Sequence, residues 1–475
     1  MDPRDLLIDE LKQIITQQQE KIVSLEAVIV ALGGQIEELA KRVAKNSSNS
    51  SKPPSTDGLR KKPVTQSLRI KTGKKTGGQA GHKGDTLAQV MHPDQVLHHA
   101  VEVCSDCQQS LKDVASTEVI KRQVFDIPVP QQVVTEHRAE VKVCPCCQTR
   151  VIAQFPTGIH APTQYGPVLQ SYGVYLHAQQ LIPEARLQQT FSDLFQVSLA
   201  TATLNKFSDN MANQLGEFKA ISLKKVQEAS VKHLDETGCR IQGKTQWLHV
   251  ACTQDWTYYH TASKRKSLLS GLTGTVVHDH FKPYFQLEGV THAPCHAHHL
   301  RELKSLKEDN EHWAHLMFRL LVLASVFKRH YQAEGIPPDK QARLIKLYDA
   351  IIERGLSYHA QLPEYRPKPK RGKQAQRPGY NLLKRLKDRR GEALRFIKEH
   401  EVPFTNNQAE QDIRMMKVKQ KISGGFRSEQ GAKQFVDLRA YISTARKQGL
   451  NILDAISSAL SGDAMAPFRN TAITR

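Results

Sequence analysis

The run from Ser230 to Asp279 limits the fold more than any other part of this chain. Residues 231–234 are apolar-rich and stop at Asp235-Glu236-Thr237-Gly238. Residues 246–253 and 256–261 follow as two β-rich runs split by Gln254-Asp255, the pattern of a hairpin. Residues 264–272 read as helix, and 275–278 as another short strand that stops at Asp279. Strand, hairpin, helix and strand open a mixed α/β sheet, in which acids at strand ends converge at one sheet edge.

Converging carboxylates suit phosphodiester chemistry. Two Mg2+ ions about 4 Å apart activate an attacking oxygen and stabilise the leaving one. Carboxylate oxygens are their natural ligands. Two acids make a weak site, so a third is expected, and Glu410 is the best placed. Thr405-x-x-Gln408 reads as a capping box that opens a helix, with Glu410 in the second turn. Arg414, Lys417 and Lys421 follow at +4, +7 and +11 on the same face. One helix face then offers a metal ligand beside cations that can hold phosphates, with Arg427 just beyond. The plainer alternative is a surface helix with Glu410 paired to Arg414. The two strand-end acids favour the ligand reading.

Between Asp279 and Glu410 lie 130 residues with helical runs at 296–306, 312–333 and 338–354, an all-α insertion. Its last part, 366–395, holds 12 Lys/Arg and two acids, which suits DNA phosphates or an exposed tether. Cys295-His296-Ala297-His298-His299 suggests a metal, but no matching ligand pair is apparent, and a structural or substrate-orienting role is preferred. His278 and His280 flank Asp279 and read equally as phosphate contacts or satisfied buried histidines.

Ahead of the sheet the pattern changes. Ile8, Ile15, Ile22, Ile29, Ile36 and Val43 recur every seventh residue, with Leu11, Gln18, Leu25, Leu32 and Leu39 three residues on. β-branched a and Leu d positions are the preference of parallel two-stranded coils, so residues 5–45 are expected to pair with a second copy. Gln18 is the polar d residue, and Gly33-Gly34 is a point where the helix can bend. A Ser/Asn/Pro linker follows, then Arg60, Lys61, Lys62, Arg69, Lys71, Lys74, Lys75 and Lys83 with no acid between Asp57 and Asp85. Such a segment buries no core and reads as a basic linker or arm over 46–100.

Cys104-x-x-Cys107 and Cys144-Pro-Cys146-Cys147, 36 residues apart, fit a ribbon-type Zn2+ module over 101–155 with strand-like runs at 122–127 and 132–143. The extra cysteine leaves 144/147 and 144/146 both open as the second pair. Residues 160–220 read as helical. Within them 183–194 forms one helix, Phe195-Gln196-Val197 a turn, and Ser198 caps a second helix bearing Thr201, Thr203, Asn205 and Lys206. That pair is either a helix-turn-helix reading a groove or an ordinary helical hairpin.

The whole chain of 475 residues carries 67 Lys+Arg against 47 Asp+Glu, a net +20. That excess points to a polyanion, nucleic acid first. With 39% hydrophobic residues, wholesale disorder is excluded. No run of about 18 apolar residues suggests a membrane span. The acidic start does not read as a secretory leader. Eight cysteines are too few for a disulfide scaffold.

Several blocks resemble transposases of the bacterial insertion sequence 66 family, of the aspartate–aspartate–glutamate type. They are NSSNSSKPPS at 46–55, GGQAGH at 77–82, RQVFDIP at 122–128, HLDETGCRIQGKTQWLHVACT at 233–253, VVHDHFKPYF at 276–285, CHAHHLREL at 295–303 and VPFTNNQAEQDIRMMKVKQKISGGFRS at 402–428. The resemblance implies a multidomain α/β chain with a ribonuclease-H-like mixed sheet core (228–296 and 401–449), interrupted by the all-α insertion (297–400) and ending in a tail (450–475). It implies Asp235, Asp279 and Glu410 as the catalytic, Mg2+- or Mn2+-binding triad, with two ions. Cys104, Cys107, Cys144 and Cys147 would hold a structural Zn2+, and Arg414, Lys417, Lys421 and Arg427 would grip DNA. It also implies element ends and target DNA as partners, N-terminal self-association, accessory proteins of the same element, and a bacterial cytoplasmic, nucleoid-associated site of action. The competing reading is a non-catalytic, zinc-binding coiled-coil DNA-binding protein or an inactivated transposase.

Overall fold

The computed structural model describes residues 3–43, 45, 81, 86–363 and 376–469. The heptad runs as one helix, α1 (Pro3–Val43), about 60 Å long and unbroken at Gly33-Gly34. Ile15, Ile22, Ile29, Ile36, Val43, Leu25, Leu32 and Leu39 are all exposed, so no described part of the chain covers the a/d seam. The basic residues from Arg60 to Lys83 lie outside the described residues, as does 366–375 of the second basic stretch.

The cysteine segment pairs β1 (Val141–Val143) with β2 (Arg150–Ile152), antiparallel, and adds an isolated antiparallel bridge between Val103 and Ser110. The run expected at 122–127, and 132–140 of the second, form no strand. Val124 and Ile127 stand exposed, and a strand without a partner edge gains no ladder.

Helices α2 (Pro167–Val174), α3 (Glu184–Phe195), α4 (Thr201–Gln214) and α5 (Gly216–Glu228) follow. Ser198 does not cap α4: Ala200 holds that position without a side-chain cap. Buried Val197 and Leu199 anchor the connection instead, so apolar packing sets the entry into the helix. Leu204, Phe207 and Met211 of α4 join Leu187 and Phe191 of α3 in the same core as the sheet.

Five strands form one mixed sheet in the order β5-β4-β3-β6-β7. They are β3 (Val231–Ile241), β4 (Lys244–Cys252), β5 (Thr257–Ala262), β6 (Thr275–His278) and β7 (Thr291–Pro294). β3 pairs antiparallel with β4 and parallel with β6. β3 does not stop at Leu234 as expected but runs to Ile241. The Gln242-Gly243 turn, with φ of 50° and 72°, lets β4 fold straight back along it. Residues 264–272 are not a helix. Gln227 holds the segment by its bond to the Ser270 carbonyl, while Leu268, Leu269 and Leu272 pack under the sheet.

After β7 come α6 (His296–Glu308), α7 (His312–His330), α8 (Pro338–Gln361), α9 (Pro378–Asp388) and α10 (Arg390–Lys398), packed around Trp313, Leu320, Tyr348, Leu383 and Phe396. Arg385, Arg389, Arg390 and Arg395 of the basic stretch pair with Glu302, Glu392, Asp349 and Glu399 within this unit. The chain returns through α11 (Asn407–Ser423) and α12 (Glu429–Lys447). Residues past 450, read as a tail, form α13 (Ile452–Leu460) and α14 (Ala466–Arg469), and Ala455, Ile456, Ala459 and Phe468 close the main core. No helix among the described residues is long and apolar enough to cross a membrane.

Candidate metal centre

The register of β3 against β6 decides where the first two acids meet. His233 pairs with Val277, the last register pair between the two strands. Two further residues bring both chains to Asp235 and Asp279 on the face that His233 and Val277 share. Adjacent strands lie about 4.8 Å apart. Asp235 thus sits inside β3, beyond its pairing with β6, and Asp279 one residue past the end of β6. Asp235 Oδ1 accepts the Glu236 N–H at 2.8 Å, and Asp279 Oδ1 accepts the Phe281 N–H at 2.9 Å.

Glu410 arrives from α11, in its first turn rather than its second. The expected capping box does not form: Asn406 is the N-cap and makes no side-chain cap. Its amide is turned to the sheet, where Oδ1 meets His233 Nδ1 at 2.9 Å and Nδ2 donates to the Leu234 carbonyl at 2.7 Å. Gln408 Nε2 donates to the Thr253 carbonyl. Asn406 thus bolts the helix start to β3, while Gln408, read as part of the cap, ties it to the end of β4. At the far end, Gln420 Nε2 donates to the Gly238 carbonyl at 2.6 Å, and the Phe426 N–H to the Arg240 carbonyl at 2.8 Å. Among the described residues Glu410 makes no ion pair with Arg414; its carboxylate lies 3.9 Å from Cys295 Sγ.

Electrostatics ties the three acids together. Burial holds the Asp235 carboxyl well above the usual range, and the charges of Glu236, Asp279 and Glu410 push it further. Burial also raises Asp279, which Arg265 pulls back down. Desolvated carboxylates are what a divalent cation neutralises, so the chemistry of these donors fits hard ions, although among the described residues the three acids do not lie within 4.8 Å of one another. Arg414, Lys417 and Lys421 stand exposed on α11, and Arg427 is exposed beyond it. Lost hydration lowers the Lys417 ammonium, while the charge of Asp235 raises it, so Lys417 lies within the field of the site.

Residues 162–434 match the Transposase IS66 family. The chain belongs to that family. Residues 102–148 match the zinc-finger binding domain of transposase IS66, and residues 2–88 match a family of unknown function. The uncharacterized protein y4jO of Sinorhizobium fredii is 33% identical over 98 residues, which cover 19% of this chain and 30% of that protein. The chain thus spans less than a third of that relative's length.

Within the zinc-finger match the same turn occurs twice. Cys104 N–H donates to the Gln109 carbonyl and Gln108 N–H to the Cys104 carbonyl; Cys144 and Gln148 repeat this with Thr149 and Cys144. Gln108 and Gln148 take φ of 61° and 58°. Cys147 therefore falls at the place of Cys107, and Cys146 at that of Asp106. Hydrogen bonds, from Thr149 first, lower the Cys147 thiol to about 7. The two pairs do not share one ligand sphere here. Among the described residues, the one group of three or more ligand atoms within 4.8 Å of one another is Cys295, His298 and Glu410.

Local patterns gave no sign of several groups around the acids. Glu236, on the opposite face of β3 from Asp235, is held by Arg265 at 2.6 Å and by the Tyr284 hydroxyl. Arg265 stacks over Phe281 and Trp247. Reading 264–272 as helix concealed Arg265, whereas Tyr284 lay in plain view within the 276–285 block. His278 meets His292 at 3.1 Å, and His280 meets His299. Burial lowers both His278 and His280 to about 3, which favours their neutral forms.

Proposed function

We propose that this chain is a DNA transposase that binds the ends of its element, cleaves them, and joins the freed 3′-hydroxyl to target DNA. The observation that carries the reading is the β3–β6 register, which sets Asp235 and Asp279 on one face of neighbouring strands. The family membership and the sheet order β5-β4-β3-β6-β7 support a ribonuclease-H-like core, with α6–α10 as the insertion between its second and third acids.

Bound Mg2+ or Mn2+ would supply the charge that activates the attacking oxygen and steadies the leaving one. Asp235 and Asp279 would hold the two ions between adjacent strands, and Glu410 would complete one ion's shell. Asn406 and His233 fix the height of Glu410 over the sheet. Arg414, Lys417, Lys421 and Arg427 would bind phosphates along α11, and the helices of 160–220 would add DNA contacts. The basic arm before residue 86 would contribute sequence-independent affinity.

Cys104, Cys107, Cys144 and Cys147 would hold a structural Zn2+ once the two matching turns close on each other. The exposed a/d seam of α1 would pair with a second copy of the chain. Accessory proteins of the same element are further partners, and the bacterial nucleoid is the place of action.

The test is strand transfer with Mg2+ or Mn2+ on Asp235→Asn, Asp279→Asn and Glu410→Gln. Each neutral isostere is expected to abolish cleavage and joining while leaving DNA binding. Activity retained in all three overturns the assignment.

A further inference from the structure

One cluster stands beside the carboxylates with a different chemistry. We propose that Cys295, His298 and Glu410 form a site for one zinc-class divalent cation, with Glu410 common to it and to the carboxylate group. The ligand atoms of the three residues lie within 4.8 Å of one another, although Cys295 and Glu410 are 115 positions apart. Cys295 Sγ is 3.9 Å from Glu410 Oε1. A tetrahedral Zn2+ with sulfur at about 2.3 Å and oxygen at about 2.1 Å has an S–O edge of roughly 3.6 Å, so only a small closure is needed.

Burial, and after it the charge of Glu410, push the Cys295 thiol up to about 12, so it is the bound cation that would draw off the proton, helped by nearby N–H groups. Cys295 is the N-cap of α6, and the Asn406 N–H, at the start of α11, donates to Sγ at 3.2 Å. The Ala297 and His298 N–H groups also address it. Two helix N-termini thus meet at one buried sulfur, and their N–H groups offset part of the burial and of the Glu410 charge. His298 supplies the second observation: its Nδ1 is buried without a hydrogen-bond partner. The neighbouring histidines are otherwise engaged, His296 with the Ala393 carbonyl and with His299, and His299 with His280.

Thiolate and imidazole select Zn2+ or Co2+ over Mg2+, which separates this site from one built of carboxylates alone. Three protein ligands leave a fourth position open. On binding, the Cys295 thiol gives its proton to solvent as the metal–sulfur bond forms. The site is read without DNA, so its failure and the failure of the strand-transfer reading are distinguishable.

The probe is Co2+, titrated into the full chain after chelator treatment. The background carries Cys104→Ser, Cys107→Ser, Cys144→Ser and Cys147→Ser, which removes the zinc-finger thiols. One equivalent with a sulfur-to-cobalt charge-transfer band is expected to remain. Adding Cys295→Ser should abolish the band, and His298→Gln should weaken binding about tenfold or more. Circular dichroism checks that each variant is folded. Should the background not fold, the wild-type chain and its Cys295→Ser variant alone must differ by one equivalent. No bound equivalent in the folded background, a band that survives Cys295→Ser, or equal stoichiometry in the paired comparison overturns the proposal.

Discussion

Arg265 offers a demanding test, because one guanidinium serves both the fold and the site. Glu236 is 1% exposed at its side chain and has two partners, Arg265 and Tyr284. Arg265→Met leaves that carboxylate with the Tyr284 hydroxyl alone. Removing one member of a buried pair costs about 3–5 kcal/mol. Arg265 is 42% exposed at its side chain, so water replaces part of what the guanidinium provided, and the expected loss falls to about 1–3 kcal/mol. Glu236→Gln removes a charge that burial disfavours and keeps the shape, for about 1 kcal/mol or less. In the double variant no buried charge is left unpaired. Its loss should therefore be smaller than the sum of the singles by about 1–2 kcal/mol. Urea unfolding followed by tryptophan fluorescence reads this directly, since Trp247 lies under the guanidinium. Losses additive within about 0.5 kcal/mol would refute the account. A second reading is independent of stability. Arg265 also pulls down the raised carboxyl of Asp279, so Arg265→Met should raise the Mg2+ requirement most at mildly acidic pH, with the gap closing as pH rises.

Other consequences are as open to measurement. Burial raises Asp235 and Asp279, so the cation-free fold keeps protons that the unfolded chain has released. Its stability therefore falls as pH rises from the ordinary carboxylate range through the raised values. Mg2+ competes with those protons, and the melting-temperature gain it gives should grow as pH rises; scanning fluorimetry showing a flat or shrinking gain would contradict this. Asn406→Ala leaves His233 Nδ1 and the Leu234 carbonyl unpaired, at a cost of about 2–4 kcal/mol in urea unfolding, and should slow strand transfer through Glu410. A stable but inactive variant would separate the two effects and weaken that reading. A Cβ on Gly425 would stand 2.5 Å from the Arg240 carbonyl oxygen, whereas one on Gly424 meets nothing within 4 Å. Gly425→Ala should thus cost about 3 kcal/mol and Gly424→Ala, at φ +71°, about 1 kcal/mol; equal losses would argue against the close approach.

What could be read in advance was governed by distance along the chain. The acids stood out because Asp235 and Asp279 each follow a short β-rich run, and Glu410 precedes a row of cations. The helices beginning at His296, His312 and Pro338 had strong periodicity and form where it lies. Thr405-x-x-Gln408 and Ser198 have the chemistry of caps, yet tertiary partners decided otherwise: Gln408 found the Thr253 carbonyl, and Val197 and Leu199 found the core. Residues 264–272 had helix-compatible composition, but the segment crosses between strands and follows the sheet. Cys295 and His298 had no visible partner because theirs, Glu410, comes from the far side of the insertion.

The chain leaves the sheet at Cys295 and comes back at Asn406, 111 positions later, and the two points touch. The His296 N–H donates to the Phe404 carbonyl at 3.1 Å, and the Asn406 N–H donates to Cys295 Sγ at 3.2 Å. Everything between is a loop already fastened at its neck. Doubling the length of such a loop adds only about 0.6 kcal/mol of closure entropy. Helices α7 to α9 can thus lengthen or shrink while Glu410 keeps its place, whereas α6 carries His298 and α10 is tied to β7 by the Arg395 bond to the His292 carbonyl. The neck, and not the length of what hangs from it, sets where Glu410 stands over the sheet.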